Sequence, residues 1–445
     1  MTDATYLAGT AGAAGRAPEV TGLASRGHTL LAGAFLLYTF IGTRPFSDTS
    51  VAGRTDGNIL DRVAVIGMVL LALKLLWDQR GTALTCLGHN LPLFGLVGFA
   101  CLSITWSDYP DLTLRRGMLL AFLTVIAMAI AVGVSDLRRF HTFLFVSMTG
   151  VVLFNLIGTV AMPSMSITDI GVKGVYTQKN VAGIVAMITA ILGVSWIIGA
   201  DDRKGVIRAL VALAPTLLFL ALTRSKTSIN MTVAGIGLLT YFALAEKIGR
   251  TFILATGMVG LLMLAAGIAT LAAIEFDGDF VIGQIFGDST LSGRDELWAY
   301  CRREAEKRFW LGYGYGAYWD VGHANDPLAR VEPGTWLASV EIGIINQAHH
   351  GYLELWLHIG WPATVAATLI VIHRVLSGGM AAVAGPGTVA ERAALGGFAT
   401  LLAVHLIHNF TEATLFMRGS LFCSTVLIAL FLLSRARALQ SERAA

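Results

Sequence analysis

The chain has 445 residues, of which 55% are hydrophobic and only 14% are charged. A soluble globular protein has about 25% charged residues, so this chain lacks the charge to cover soluble domains of that total length. The abundance of apolar residues also excludes a disordered chain. The composition therefore predicts an all-α polytopic membrane protein, because long apolar runs cross membranes as helices.

Charge and cysteine content exclude further classes. The 32 Lys and Arg residues nearly balance the 29 Asp and Glu residues, and the net charge of +3 predicts no nucleic-acid partner. No two of the four cysteines share the spacing of a zinc or redox motif, so the sequence predicts neither a disulfide nor a zinc site. They are Cys86, Cys101, Cys301 and Cys423.

Twelve apolar runs follow one another along the chain. In order they cover residues 29–42, 63–77, 91–105, 117–134, 141–162, 181–200, 206–222, 228–245, 252–274, 352–372, 395–415 and 420–434. Several are shorter than the roughly 20 residues that a span needs, so their ends must extend into the flanking segments. The sequence thus predicts about 12 transmembrane helices.

These runs divide the chain into five regions. Residues 1–28 are rich in Ala and Gly and predict a flexible cytoplasmic tail rather than a cleaved signal peptide. Residues 29–274 hold nine predicted spans, 275–351 form a large polar loop with short helices, 352–434 hold three spans, and 435–445 form a cytoplasmic tail. Lys and Arg in the short loops favour this orientation, which places the large loop in the periplasm.

Two cations lie in a short loop on the outer side, where the orientation rule disfavours Lys and Arg. Arg224 and Lys226 lie in the tight turn 223–227 between the seventh and eighth runs, on the predicted outer face. They either bind a ligand or extend toward lipid headgroups, as charged side chains at helix ends commonly do. Both interpretations are open at this point.

Polar residues from separate segments are predicted to meet at the same outer face. They precede the sixth span, occupy the 223–227 turn and the long loop, and end the eleventh span. These residues are Lys179, Asn180, Arg224, Lys226, Arg294, His349, His350, Tyr352 and Glu412. Cations, imidazoles and amides gathered on one face favour a site for an anionic ligand.

Arg294 stands in the stretch Ser292-Gly-Arg-Asp295, which has the spacing of a capping box with Asp in place of Glu. Apolar residues continue at helical spacing to about residue 309, so we expect an amphipathic helix with Arg294 in its first turn. Free backbone N–H groups and the helix dipole attract an anion there. The alternative is that Arg294 pairs with a nearby Asp or Glu.

The pair His349-His350 directly precedes the tenth span. A neutral imidazole can accept a proton near pH 7, so a general base is the favoured function. A loop histidine that bonds a carbonyl is the alternative. His350 and Glu354 are four residues apart, a spacing that would suit a metal, but no third ligand is evident and no metal is predicted.

The long loop is also rich in aromatic residues. The stretch Gly312–Trp319 predicts an aromatic turn, because it lacks the strand and the acidic residue of a nucleotide-binding loop. The aromatic rings either stack on sugars or form a belt at the membrane interface, and the belt is slightly favoured. They belong to Trp298, Trp310, Tyr313, Tyr315, Tyr318, Trp319 and Trp336.

Taken together, these segments resemble the superfamily of O-antigen ligases and bacterial polysaccharide polymerases. The resemblance covers residues 90–434, and its motifs occur in the family's order. They read YTQKNVAG at 176–183, TRSKTS at 223–228, LSGRDELW at 291–298 and AHHGYLELWLHIG at 348–360. The Lys-Asn segment, the Ser-Lys-Thr turn and the stretch TEATLFMR at 411–418 are most similar to ExoQ-type exopolysaccharide polymerases.

The resemblance implies a GT-C-like glycosyltransferase of the bacterial inner membrane, with its active site facing the periplasm. Donor and acceptor would be sugars on polyprenyl (undecaprenyl) diphosphate, and the anomeric carbon would be inverted without a metal or another cofactor. His349 would be the base, and Arg294 with Arg224 would hold the departing diphosphate. The substrate-binding residues would be Lys179, Asn180, Lys226, His350, Tyr352 and Glu412.

Two departures from the family pattern matter for this assignment. The family has Asn after its catalytic His, where this chain has His350. The cation of the family's turn follows Ser, which makes it Lys226, whereas Arg224 stands two residues earlier. Either of these two cations can carry the role.

The expected function is polymerisation of lipid-linked repeat units into a polysaccharide. The first alternative is a ligase that transfers the glycan to lipid A–core, and the second is a transporter of lipid-linked sugars. Transporters place charged groups near mid-membrane, whereas these spans are nearly free of them. Expected partners are the lipid-linked oligosaccharide, membrane lipids, and polysaccharide export and chain-length proteins.

Overall fold

The computed structural model describes residues 20–42, 59–249, 251–253, 255–256, 258–259, 263, 294–331, 333–436 and 439. These residues are mostly helical, in the order α1 Arg26–Phe40, α2 Ile59–Asp78, α3 Arg80–His89, α4 Leu91–Leu102, α5 Pro110–Val132, α6 Leu137–Ala161, α7 Pro163–Ser166, β1 Ile167–Thr168, β2 Gly171–Val172, α8 Lys179–Ile198, α9 Arg203–Thr223, α10 Lys226–Ile248, α11 Arg294–Lys307, α12 Gly351–Ala384, α13 Val389–His408 and α14 Leu421–Ser434. The two short strands pair antiparallel.

Seven of the described helices are long and apolar enough to cross a membrane. An eighth crossing is present if α3 and the segment Leu91–Thr105, bent by 79° relative to each other, form one span. The prediction of a polytopic helical membrane protein is therefore confirmed, while the count of about 12 stays a prediction. Residues 1–19 of the predicted N-terminal tail, most of the predicted C-terminal tail, and most of the ninth run at 252–274 lie outside the described residues. Residues 20–28 are described, and α1 begins within them at Arg26.

Helices α8 and α13 lie at the centre of the bundle. Helix α8 packs against α6, α9, α10 and α13, and α13 packs against α10, α12 and α14 as well. The start of α8 and the end of α13 lie close together, since Asn180 near one hydrogen-bonds Glu412 just after the other. The packing of these two helices thus sets the distance between the Lys-Asn segment and the segment that carries Glu412.

Helix α12 is broken near its start, although its sequence predicts one continuous span. Gly360 has φ 80°, a left-handed conformation that favours glycine. The backbone N–H groups of Tyr313 and Gly314 donate to the carbonyls of Leu357 and His358, which the break leaves free. The first turns of α12 therefore belong to the loop region and lie beside the candidate site.

Tyr313, Tyr318 and Trp319 pack into a small core with Leu297 and Cys301 of α11, whereas Tyr315 joins the main core of the bundle. Tyr313, Tyr315, Tyr318 and Trp319 are each at most 9% exposed, so the interfacial belt predicted for them is wrong. Burial of aromatic area holds this loop together in the absence of regular secondary structure. Two others, Trp310 and Trp336, are 71% and 46% exposed, as a belt requires.

Replacing Gly351 by alanine should destabilise the protein by about 1–3 kcal/mol, the usual cost of overpacking. An added Cβ would lie 1.9 Å from Oδ1 of Asn409. That amide cannot turn away easily, because its Oδ1 accepts hydrogen bonds from the backbone N–H groups of Thr414 and Leu415. Thermal unfolding of the purified variant measures the loss.

Gly237→Ala is the matched control, because no atom lies within 4 Å of a Cβ at that helical position. A midpoint for Gly351→Ala equal to that of Gly237→Ala would contradict the packing described here.

Candidate active site

The carboxylate of Glu412 is the hub of a polar cluster at the end of α13. Its Oε1 accepts a hydrogen bond of 2.8 Å from Nδ2 of Asn180 and a longer contact of 3.5 Å from Nη2 of Arg294. Its Oε2 lies 3.2 Å from Nδ1 of His349. Two of the segments predicted to meet, the stretch before the sixth span and the long loop, are therefore in contact with a residue from a third.

The segment that carries Glu412 is held by local hydrogen bonds. Asn409 follows the last residue of α13, and its Nδ2 donates to the carbonyl of His405 over 2.6 Å. Its Oδ1 accepts from the N–H groups of Thr414 and Leu415, at 2.9 Å and 2.7 Å. Such side-chain bonds stabilise a turn immediately after a helix, so Glu412 has a defined position.

His349 occupies a strained backbone position at the end of the loop. Its φ of 50° is uncommon for a residue with a Cβ and costs conformational energy. The preceding residue is held on both sides, since Ala348 N–H donates to Glu354 over 2.6 Å and its carbonyl accepts from Trp298 over 3.0 Å. The strain is therefore imposed by the surroundings, which direct the 26% exposed imidazole toward Glu412.

The charge state of Glu412 determines which nitrogen of His349 carries the proton. Burial by itself would raise the pKa of the Glu412 carboxyl, but the hydrogen bond from His349 and the charges of His349 and Arg294 outweigh it and lower that pKa. An ionised carboxylate can only accept, so Nδ1 of His349 must be the donor. In the neutral imidazole Nε2 is then left with the lone pair that a general base needs.

Arg294 is the first residue of α11, as its sequence position predicts. Nη1 donates to the carbonyl of Thr411 over 2.7 Å, and Nη2 reaches Glu412. Its acidic partner is thus distant in the sequence rather than a neighbour in α11. The contacts leave further guanidinium N–H groups on a side chain that is only partly buried.

The turn between α9 and α10 joins the same cluster through a hydroxyl group. Ser225 caps α10 and its Oγ donates to Oδ1 of Asn180 over 3.2 Å. Lys179 donates to the carbonyls of Ile170 and Arg224, which ties the start of α8 to the turn. Asn180 is the neighbour of Lys179, and Ser225 lies between Arg224 and Lys226. The side-chain hydrogen bond between the two segments therefore joins the polar neighbours of the cations.

The two outer cations of this turn remain available. Arg224 has a left-handed backbone with φ 50° and ends α9, whereas Lys226 begins α10. Both are exposed, and neither side chain hydrogen-bonds or ion-pairs with any residue that the structure describes. Both can therefore meet an anion that approaches from outside, and their positions do not favour one over the other.

His350 and Tyr352 lie further from Glu412. Nδ1 of His350 accepts from Leu353 N–H and so caps α12, and burial lowers the pKa of its imidazole. The Tyr352 hydroxyl donates to the carbonyl of Leu406 over 2.8 Å. Both have structural partners, and their binding of substrate stays a prediction.

Glu354 does not face His350, despite the four-residue spacing. Its Oε2 accepts from Trp319 and Ala348, and its Oε1 lies 3.2 Å from Nε2 of His358. Its role is to hold the segment before His349. Within the described part of the chain, His, Cys, Asp and Glu side chains form no group that could hold a metal ion.

A polar cavity of about 340 Å³ opens beside Glu412, and the sequence did not point to it. Its lining includes Arg116 from α5, Trp319 from the loop and Arg418 from the segment after α13. Two signals could have found it. Arg116 is a charge just before a long apolar run, and Arg418 ends the stretch 411–418 that carries part of the family resemblance.

The chain matches known proteins over the part that carries most of this cluster. Residues 209–368 match the family described as O-antigen ligase. The matched segment is less than half of the chain. It contains Arg224, Lys226, Arg294 and His349, whereas Asn180 and Glu412 lie outside it.

A curated relative supports the same family. The exopolysaccharide production protein ExoQ of Rhizobium meliloti (strain 1021) is 29% identical over 249 residues, which are 52% of this chain and 53% of that protein. The chain therefore spans about half the length of the relative it matches. The resemblance to the O-antigen ligase family and to ExoQ-type proteins is confirmed.

Replacing Glu412 by glutamine should lower kcat at least about tenfold with little change in KM. A carboxamide can donate to Nδ1 of His349 and so favour the wrong tautomer, which is how loss of charge at such a position impairs a base. Glu412→Asp should recover part of the rate. Glu246→Gln is the matched control, because that carboxylate pairs with Arg392 away from the cluster.

The lowered pKa of Glu412 also predicts a pH dependence of stability. Because the folded-state pKa lies below the unfolded value of about 4.3, the stabilisation is full above that value and is lost as pH falls through the folded pKa. The stability difference between wild type and Glu412→Gln should therefore shrink on acidification, as thermal unfolding between pH 7 and pH 3 would measure. A constant difference would contradict the pairing.

Proposed function

We propose that this protein polymerises polyprenyl-diphosphate-linked oligosaccharide repeat units at the periplasmic face of the bacterial inner membrane. The growing glycan moves from its lipid diphosphate to a hydroxyl group of the incoming lipid-linked unit. The observation that carries the proposal is the contact of Glu412 with His349, Arg294 and Asn180. The match of residues 209–368 to the O-antigen ligase family supports it.

His349 acts as the general base in this reaction. Its Nδ1–H donates to Glu412, and its Nε2 takes the proton of the acceptor hydroxyl as that oxygen attacks the anomeric carbon. The new C–O bond forms on the face opposite the breaking bond to diphosphate, so the configuration inverts. Glu412 stabilises the imidazolium that results, as a buried carboxylate does in other His-based sites.

The departing diphosphate needs cations that remain charged at neutral pH. Arg294 offers forked donors from one side of the cluster, and Arg224 or Lys226 offers an exposed cation from the turn. Fixed cations stabilise the charge that develops on the leaving group. They would fill the role that Mg²⁺ has in many phosphate-dependent transferases, so we expect activity to persist in EDTA.

Two alternative functions, a ligase and a transporter, differ from a polymerase in what they require. A ligase would use the same donor chemistry but deliver a single glycan to lipid A–core. A transporter would need charged groups on broken helices near mid-membrane. The charged cluster lies instead beyond the ends of α8 and α13, which favours an enzyme.

Reconstitution of the purified full chain in liposomes with a defined lipid-linked repeat tests the proposal. We expect a ladder of products that differ by one repeat, formed equally with EDTA present. A single transfer to added lipid A–core without a ladder would instead identify a ligase. A strict requirement for a divalent cation would overturn the proposed mechanism.

A further inference from the structure

The lining of the cavity beside Glu412 includes a partly buried cation, Arg418, that the proposed mechanism does not use. Arg418 follows α13, and its backbone N–H donates to the hydroxyl of the buried Tyr315. Its guanidinium group makes no hydrogen bond and no ion pair with any residue that the structure describes. The group is partly buried, and its five N–H groups can donate to the acceptors of a ligand that enters the cavity.

The other charged groups of the cavity wall already have partners. Arg116 donates to the backbone carbonyls of Gly316, Trp319 and Asp320. Glu354 accepts from Trp319 and from Ala348. Glu412 is held by the contacts of the candidate active site. Among these described groups Arg418 alone points to something that enters the cavity.

The position of Arg116 also indicates that an anionic group enters the cavity. A Cβ built on Gly316 would lie 2.9 Å from Nη1 of Arg418 and 3.0 Å from Cδ of Arg116, so the two arginine side chains lie close to the same glycine. Two like charges that share a cavity repel each other, and an anion near them removes that cost.

We propose that this cavity is a subsite for a sugar that carries a carboxylate, with Arg418 as the residue that recognises the acidic group. The inference rests on the proposed function, in which the sugar belongs to the lipid-linked oligosaccharide. A carboxylate matches the forked donors of a guanidinium group. The side chains of Asn346, Gln347 and Ser420 line the same cavity and supply donors and acceptors for sugar hydroxyls.

The lining favours a carboxylate over the lipid diphosphate. Asp320, Glu354 and Glu412 are also part of the wall, and they would repel a group with two or three negative charges more strongly than one with a single charge. Arg294, Arg224 and Lys226 do not line this cavity and remain available to the diphosphate. The volume of about 340 Å³ lies within the range of small-molecule sites.

Binding of three soluble probes to the purified full chain in nanodiscs tests the subsite without relying on turnover. The probes are cellobiouronic acid, its neutral analogue cellobiose, and inorganic diphosphate. We expect the acidic disaccharide to bind at least about tenfold more tightly than the neutral one, as a charge-assisted hydrogen bond would produce. Arg418→Gln should remove this preference, and Arg418→Lys should retain part of it.

Arg330→Gln is the matched control, because that arginine is exposed in the loop. Equal binding of the two disaccharides, or a preference that survives in Arg418→Gln, would overturn the subsite. If inorganic diphosphate binds more tightly than the acidic disaccharide, and this binding is lost in Arg418→Gln, the cavity is assigned to the lipid headgroup instead. Failure to form a ladder with both an acidic and a neutral lipid-linked repeat would reject the proposed function, whereas preferential acid binding would still stand.

Discussion

Replacing His349 by alanine should reduce glycan elongation at least about 100-fold, the lower range for loss of a general base. Without the imidazole no group takes the proton of the attacking hydroxyl, while the contacts of Glu412 with Asn180 and Arg294 remain. Lipid-linked repeats should then accumulate on the periplasmic side. Product ladders in reconstituted liposomes, and the leaflet distribution of labelled repeats in cells, measure the two effects.

The control is His323→Ala, which removes an exposed histidine from the same loop. It should elongate the glycan at the wild-type rate. Accumulation of repeats on the cytoplasmic side in His349→Ala would reject the polymerase and favour transport. Elongation by His349→Ala at the wild-type rate would remove His349 from the mechanism.

Replacing Arg294 by alanine should lower kcat about 100-fold or more, because one fixed donor to a developing negative charge contributes about that much. Arg294→Lys should not restore the rate, since a single ammonium group cannot reach Thr411 and Glu412 and also fork toward the diphosphate. Inhibition by the product polyprenyl diphosphate should weaken in parallel, which a purely structural role would not cause.

Arg302→Ala is the control for this effect. Arg302 lies in the same helix and is exposed, so its loss removes an equal charge from α11 away from the cluster. Full activity of Arg294→Ala would reject the diphosphate contact. A loss of activity with unchanged product inhibition would instead assign Arg294 to the positioning of Glu412.

Sequence patterns predicted the helices well where an apolar run is long or its helical periodicity is clear. The run 181–200 lies within one turn of α8, and the amphipathic helix expected from Arg294 is α11. The pattern failed at α12, because the break at Gly360 depends on loop carbonyl and amide groups that are distant in the sequence. It failed for Tyr315 and Trp319 for a related reason, since burial depends on neighbours that periodicity does not specify.

The motifs also located most of the polar cluster. Lys179, Asn180, Arg294, His349 and Glu412 were all named from the sequence. Their spacing could not show that Glu412 is the common partner, because 63 residues separate it from His349. Arg418 ends the stretch TEATLFMR, and no sequence pattern assigns it a role, because its position in the cavity wall depends on segments distant in the sequence.

Composition by itself determined that this protein lies in a membrane, because 14% charge cannot cover a soluble surface of this size. The motifs determined which chemical groups are present and which family they resemble. The tertiary structure decided which of them act together. Hydrogen bonds and burial depend on distances of a few Å between segments far apart in sequence. The packing of α8 and α12 against α13, and of α11 against α12, sets those distances around Glu412.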